Sequence, residues 1–321
     1  MGLVLAFLLL LTGGAIVILC GRRVAAGAIA SAMGLGLSPL MTSVLMVGFV
    51  PETLLIALVA SLAAVEGIAI GVIVGGVMAA MALSMGLGVI RKEMTFAAAP
   101  AATLIVPVLA VLLFWGLAAD GELARVDGLA LLMAFGTAAV FLLYLSRKGL
   151  EVKPAGDAAA AGDEKLPLSA LQSMGLLGLL VAGLAAGAIM LVYGVGYATA
   201  AAKVSNTTVA MTLLALLPAA PRLWRQTPAG EAAPKITYGN IMAPIIAGFL
   251  LIGGVVAIIS PFKVPPAAVS FYLPLCVLTV AFVASVLLFR KLPRWSGAVL
   301  LALFAWFVLG GWIFHFAQNR S

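Results

Sequence analysis

The chain has 321 residues, 64% of them hydrophobic and only 9% charged, with a mean hydropathy of +1.25. A soluble fold cannot cover that much apolar surface, so the composition excludes a soluble domain and points to an integral membrane protein. The net charge of +7 does not point to nucleic acid, because membrane proteins gather Lys and Arg in their cytoplasmic loops.

A helix needs about 20 apolar residues to span a bilayer. Ten segments meet that length or pattern in chain order: Gly2–Cys20, Ser38–Val65, Gly67–Ile90, Thr95–Leu117, Asp127–Leu145, Ala170–Tyr197, Ser205–Trp224, Ile236–Ile259, Pro265–Phe289 and Gly297–Phe316. The stretch Val24–Leu35 either continues the first helix or lies at the interface. No Lys or Arg precedes the first apolar run, so that run reads as a retained helix rather than a signal peptide. Cys20 and Cys276 both fall in apolar segments and read as packing residues, and His315 reads as an interfacial ring.

The charges orient these spans. With the N-terminus outside, the inner loops hold Arg22, Arg23, Arg91, Lys92, Arg147, Lys148, Lys153, Lys165, Arg222, Arg225, Lys235, Arg290, Lys291 and Arg294, which is 14 of the 18 Lys and Arg. Such a bias predicts ten crossings with both termini outside. The one long polar stretch, around residues 147–167, combines Ala, Gly, Pro and alternating charges and reads as a flexible cytoplasmic linker. It separates a first unit, residues 1–146, from a second, residues 168–321. The expected location is a bacterial inner membrane, with periplasmic termini.

The two units resemble one another. Leu123, Arg125, Gly128, Leu131, Leu132 and Phe135 match Leu292, Arg294, Gly297, Leu300, Leu301 and Phe304 at an offset of 169 residues. Ser38 matches Ser205, Pro51 matches Pro221 and Gly71 matches Gly239 at nearly the same offset. Five spans per unit is an odd number, so the second copy is inverted in the membrane. The predicted fold is therefore all-α, with ten transmembrane helices in two inverted five-helix repeats. In that architecture substrate sites lie near the midplane, on helices interrupted by Pro or Gly. Pro51, Pro218 and Pro221 are the expected interruptions.

The motif around Ser38-Pro39-Leu40 and Pro51-Glu52, the Gly-rich helix that follows from Gly71, and the closing helices near residues 120–145 and 290–316 resemble the sodium/calcium exchanger family of the calcium:cation antiporter superfamily. The resemblance spans nearly the whole chain. It implies cation binding by a Glu in each half, with Thr, Ser and Asn side chains around them. This sequence departs from that pattern. Gly48-Phe49-Val50 precedes Pro51-Glu52, and Leu217-Pro218-Ala219-Ala220-Pro221-Arg222 stands at the second motif. Gly239-Asn240 survives, but Ala243-Pro244-Ile245 follows it. Of the side-chain ligands that the resemblance implies, only Glu52 has a clear equivalent.

Calcium takes about 6–8 oxygen ligands, usually with several carboxylates, so this set suits a monovalent cation or a proton better. An acid within a span is a functional candidate by default. Glu52 either holds the transported ion or is an inherited carboxylate with no traffic through it. Arg222 either faces Glu52 at depth as an internal counter-charge or anchors at the cytoplasmic boundary with Arg225. Gly67, Gly71 and Gly75, with Gly239 in the second half, recur at the spacing that lets helices approach closely. No phosphate loop, metal-ligand cluster or nucleophile-base pair marks an enzyme, and no cofactor or nucleic acid is expected. Two classes remain: a divergent secondary cation antiporter in the lipid bilayer, and a transport-inactive structural or regulatory subunit with membrane-protein partners.

Overall fold

A computed structural model describes residues 2–34, 50–96, 101–147, 170–217, 235–236, 242 and 244–318. The molecule is mostly helical. Helix α1 (Gly2–Gly34) takes in the Ala- and Gly-rich stretch after Cys20, so that stretch continues the first helix. Helices α2 (Pro51–Leu62) and α3 (Glu66–Arg91) are joined by a tight turn in which Ala64 takes a left-handed conformation, φ 54°. Strand β1 (Met94–Phe96) precedes α4 (Ala101–Leu117), strand β2 (Glu122–Leu123) and α5 (Arg125–Arg147).

The second half begins with α6 (Ala170–Ala202). It continues through the short α7 (206–214), β3 (Lys235–Ile236), α8 (Pro244–Ile259), β4 (Phe262–Lys263), α9 (Ala268–Leu287), β5 (Lys291–Leu292) and α10 (Arg294–Gln318). Among the described residues, seven helices are long and apolar enough to cross a membrane: α1, α3, α4, α5, α6, α9 and α10; α2 and α8 are shorter apolar helices.

Burial separates the centre from the rim. The apolar window of α3 is 83% buried, against 22% for α1 and 28% for α5 and α6. A helix that is hydrophobic all round is either buried or faces lipid; α3 is the first case and the outer helices the second. Around α3 the core is filled by Ile68, Ile70, Ile73, Met78, Phe114, Phe249 and Met211. Phe114 and Phe249 pack tilted, with centroids 5.0 Å apart.

Two differences from the sequence reading have local causes. The fourth span is expected from Thr95, but Met94–Phe96 form strand β1 and the helix starts at Ala101. Those residues take extended backbone bonds from β5 and β3 instead, and Pro100 disfavours helical backbone at the residue before it. Within α3 and α8 the backbone widens into π-helical turns at Ala79–Met85 and Ala247–Ile252. Such turns cluster at functional sites, and these two stand 168 residues apart.

The halves interlock through reciprocal glycine contacts. A β-carbon placed on Gly13 would stand 2.9 Å from the Gly187 carbonyl oxygen, and one on Gly187 would stand 3.1 Å from that of Gly13. Gly86 of α3 meets Gly297 of α10 in the same mutual way, at 3.2 and 2.8 Å. Gly128 of α5 meets Gly254 of α8 at 2.8 and 3.0 Å. The last two crossings are counterparts: Gly128 and Gly297 stand 169 residues apart, Gly86 and Gly254 stand 168 apart. Each half's closing helix thus crosses the other half's third apolar helix.

The short strands repeat the exchange. Met94 pairs with Leu292 and Thr95 with Lys291, antiparallel. Leu123 pairs with Phe262 and Glu122 with Lys263, also antiparallel. The second ladder is the first with the halves exchanged.

Gly128→Leu drives its side chain into the Gly254 carbonyl and the Ile258 backbone nitrogen. It should destabilise the fold by about 1–3 kcal/mol, seen as a lower melting temperature in detergent. Gly136→Ala, where a β-carbon meets nothing within 4 Å, should leave melting unchanged or slightly raised.

Candidate functional site

Pro51 is the first residue of α2, where its missing N–H costs no helical hydrogen bond, and Leu54 N–H donates to the Val50 carbonyl at 3.1 Å. The next residue, Glu52, therefore sits in the first turn. The positive end of the helix dipole there favours the charged carboxylate, by about 0.3–1 kcal/mol when exposed.

The Glu52 side chain is half-buried and lies against α1. A β-carbon on Gly21 would stand 2.8 Å from Glu52 Oε2 and 3.4 Å from Glu52 Cβ. Only glycine at position 21 lets the carboxylate take this seat. Gly21 is a site residue that the sequence reading did not single out.

The Gly67, Gly71 and Gly75 face of α3 lies against α7. A β-carbon on Gly67 would stand 2.5 Å from Thr207 Oγ1, one on Gly71 2.5 Å from Ala210 Cβ, and one on Gly75 2.5 Å from the Met211 carbonyl oxygen. The two helices therefore meet backbone to backbone. Their contact is Gly and Ala, with Thr207 at one end. Thr212 donates to the Thr208 carbonyl at 2.7 Å, one turn back on its own helix.

A hydroxyl-lined cavity of ≈ 130 Å³ opens at the start of α7, between Ser205, Thr207, Thr208, Pro265, Pro266, Ala267 and Gly311. Tyr272 is buried beside it. Its hydroxyl packs on Gly311 and faces the Thr208 side chain without reaching hydrogen-bond geometry. The sequence reading passed over Tyr272, because a lone Tyr in an apolar run carries no spacing signal.

Arg222, Pro218, Pro221 and Gly239 lie outside the described residues. The arrangement on view brings Glu52 together with α1. The α3–α7 crossing is lined by Gly and Ala, with Thr207 at one end. Of the eleven Asp and Glu in the chain, only Glu52 falls in the interior of a predicted span; Asp127 is the first residue of another. Among the described residues no three His, Cys, Asp or Glu gather where a metal ion could be held.

A family model for "sodium/calcium exchanger protein" matches residues 172–312. A comparison with curated proteins finds no match. Among solved structures, the H+/Ca2+ exchanger CAX is similar with a TM-score of 0.65 at 16% identity, over 98% of this chain and 88% of that one. The sodium-calcium exchanger NCX_Mj, soaked with zero Na+ and Ca2+, is similar with a TM-score of 0.55 at 18% identity, over 94% of this chain and 97% of that one. The same exchanger soaked with 2.5 mM Na+ and 10 mM Sr2+ gives 0.56 at 20% identity, over the same shares of the two chains. At these identities the structural likeness establishes the fold. That fold runs through nearly the whole chain, and the match to the sodium/calcium exchanger model covers most of its second half.

Proposed function

We propose that the protein is a secondary cation antiporter rebuilt around a single carboxylate, exchanging a monovalent cation or a proton in preference to calcium. The observation that carries this is Glu52. It is the one acid in the interior of a predicted span, it lies in a helix's first turn after a Pro, and its carboxylate is held at a glycine of α1. One carboxylate balances one positive charge. A divalent ion would keep a net charge in a low-dielectric setting, which is costly.

The proposed architecture is ten crossings in two inverted repeats, residues 1–146 and 168–321, joined by the cytoplasmic linker 147–167. The strand ladders support it. β1, β3 and β5 belong to loops that the charge bias assigns to the inside, and they form one sheet. β2 and β4 belong to loops assigned to the outside, and they form the other. The hydrogen bond from Ser61 Oγ to the Ser260 carbonyl, 2.8 Å, likewise joins two outer ends. Exchanging the halves carries one ladder onto the other, and so one membrane face onto the other, which is the relation that inverted repeats require. Both termini are then periplasmic in a bacterial inner membrane.

One observation favours a second reading, a transport-inactive structural or regulatory subunit of a larger membrane complex. The α3–α7 crossing is too close even for a methyl group at Gly71 or Gly75. A cation path between these helices would require them to separate. Arg222 would serve this reading as a permanent counter-charge to Glu52, the alternative being an anchor at the cytoplasmic boundary with Arg225.

Flux in proteoliposomes under sodium, potassium, calcium and proton gradients separates the two. The antiporter reading expects flux with a monovalent cation or proton that Glu52→Gln abolishes while the protein still folds. Gly21→Ala, which displaces the carboxylate by crowding Oε2, should cut the same flux at least tenfold, the effect of about 1.4 kcal/mol on the barrier. Absence of flux with every ion from a folded protein would leave the subunit reading, and a stoichiometric partner should then co-purify in mild detergent.

Topology has its own check. In a cysteine-free background, Glu122→Cys and Lys291→Cys should react with a membrane-impermeant thiol reagent from opposite sides of the membrane. Labelling of both from one side would remove the inverted arrangement.

A further inference from the structure

The cavity at the start of α7 takes no part in the Glu52 site. It measures ≈ 130 Å³, and Ser205, Thr207 and Thr208 bring hydroxyls to its wall. The helix begins with Val209 N–H donating to the Ser205 carbonyl at 3.2 Å, and the Ser205 side chain does not cap it. The N–H groups of Asn206, Thr207 and Thr208 belong to the first turn, where a helix supplies no acceptor of its own. The start of α9 lines the same cavity. Ala268 N–H turns back to the Pro265 carbonyl at 2.8 Å, and Pro265 and Pro266 carry no N–H, which leaves Ala267 N–H as the donor at that end. Two positive helix ends therefore meet at one cavity.

A buried side chain points to a ligand there. Tyr272 is 1% exposed and closes a π-helical turn of α9, Ala268–Tyr272, a form of backbone that collects at functional sites. Its hydroxyl packs on Gly311 and faces Thr208, two residues of the cavity wall. It has no hydrogen-bond partner among the described residues, whereas buried polar groups are as a rule paired. None of the lining residues is acidic, and the exposed Lys203 lies just before Ser205 in the chain. A cation would meet two positive helix ends. A water would bring further donors to a place already rich in them. An anion only accepts, which is what helix starts favour.

We propose that this cavity binds a small monovalent anion of about the size of chloride, between the starts of α7 and α9, with the Tyr272 hydroxyl donating to it. The space takes such an ion together with water, since one water needs only about 10–15 Å³. The bound ion would tie α7 to α9 and, through Tyr272 and Gly311, to α10. The proposed topology puts all three contacts at the outer end of the fold. None of this depends on which cation moves past Glu52, or on whether one does.

The test is thermal unfolding of the full-length protein in neutral detergent, with sodium chloride replacing sodium gluconate at constant sodium. Chloride should raise the melting temperature in a saturable way. Tyr272→Phe should bind chloride about tenfold more weakly, from the loss of one hydrogen bond to a charged ligand. Thr208→Val, which removes a hydroxyl of the wall and keeps its shape, should weaken binding in the same direction. Tyr193→Phe, exposed on α6, should match the unmodified protein. In gluconate alone Tyr272→Phe should melt no lower than the unmodified protein, because the oxygen it removes has no partner there. A lower melting temperature for that variant in gluconate would give the hydroxyl a water or protein partner instead. That result, the absence of a saturable chloride effect, or an unchanged chloride titration in both Tyr272→Phe and Thr208→Val would overturn the proposal.

Discussion

The structure depends on backbone meeting backbone at three glycine crossings. Within a bilayer there is no hydrophobic gain from pressing one apolar helix on another, because lipid tails are as apolar as leucine. What remains is dispersion over closely matched surfaces, and that falls off within an ångström of separation. Gly13 with Gly187, Gly86 with Gly297 and Gly128 with Gly254 remove the side chains that would hold the helices apart. Around these points the larger residues interlock, and α3 ends up enclosed on nearly all sides. The same device sets Glu52 in place, since Gly21 leaves room for its carboxylate against α1.

The electrostatics follow from that packing. A close-packed apolar centre tolerates few charges, and each one it keeps needs a defined setting. Glu52 stands at a helix start, beside a proline, over a bare stretch of α1 backbone. Elsewhere charge is sorted to the ends: exposed cations with aromatic rings at one face, the acid-base row of Glu122 and Lys263 at the other. The family fold is thus kept while the chemistry at its centre is sparse, which is why the proposed cargo carries a single charge.

The helical character could be read from hydropathy because length and apolarity are what a bilayer demands, and seven of the stretches so marked hold a helix long enough to cross one among the described residues. The constant offset between Gly128 and Gly297 was also visible. That each of them crosses the third apolar helix of the opposite half was not, because one sequence carries no record of which surfaces meet. The strands escaped notice for a different reason. Two or three residues such as Lys291-Leu292 hold too little alternation to register as a period, and their pairing is imposed by the loops that the helices bring together. Glu52 stood out as a lone acid among apolar residues, but its seat depended on Gly21, about thirty positions earlier, with nothing local to connect them. Tyr272 was hidden because its meaning lies in Gly311, which makes room for its hydroxyl.

The exchanged ladders and crossings have a consequence for how such a chain can be divided. The Gly86–Gly297 and Gly128–Gly254 crossings and the β1–β5 and β2–β4 ladders are exchanged counterparts, a relation like that across the isologous surface of a twofold homodimer, and only the β1–β3 pairing among these elements lacks a partner. A self-complementary surface of that kind closes on itself and leaves no unused copy to propagate. The contacts that define the assembled state are then held in the halves themselves, at the glycine crossings and the strand ladders.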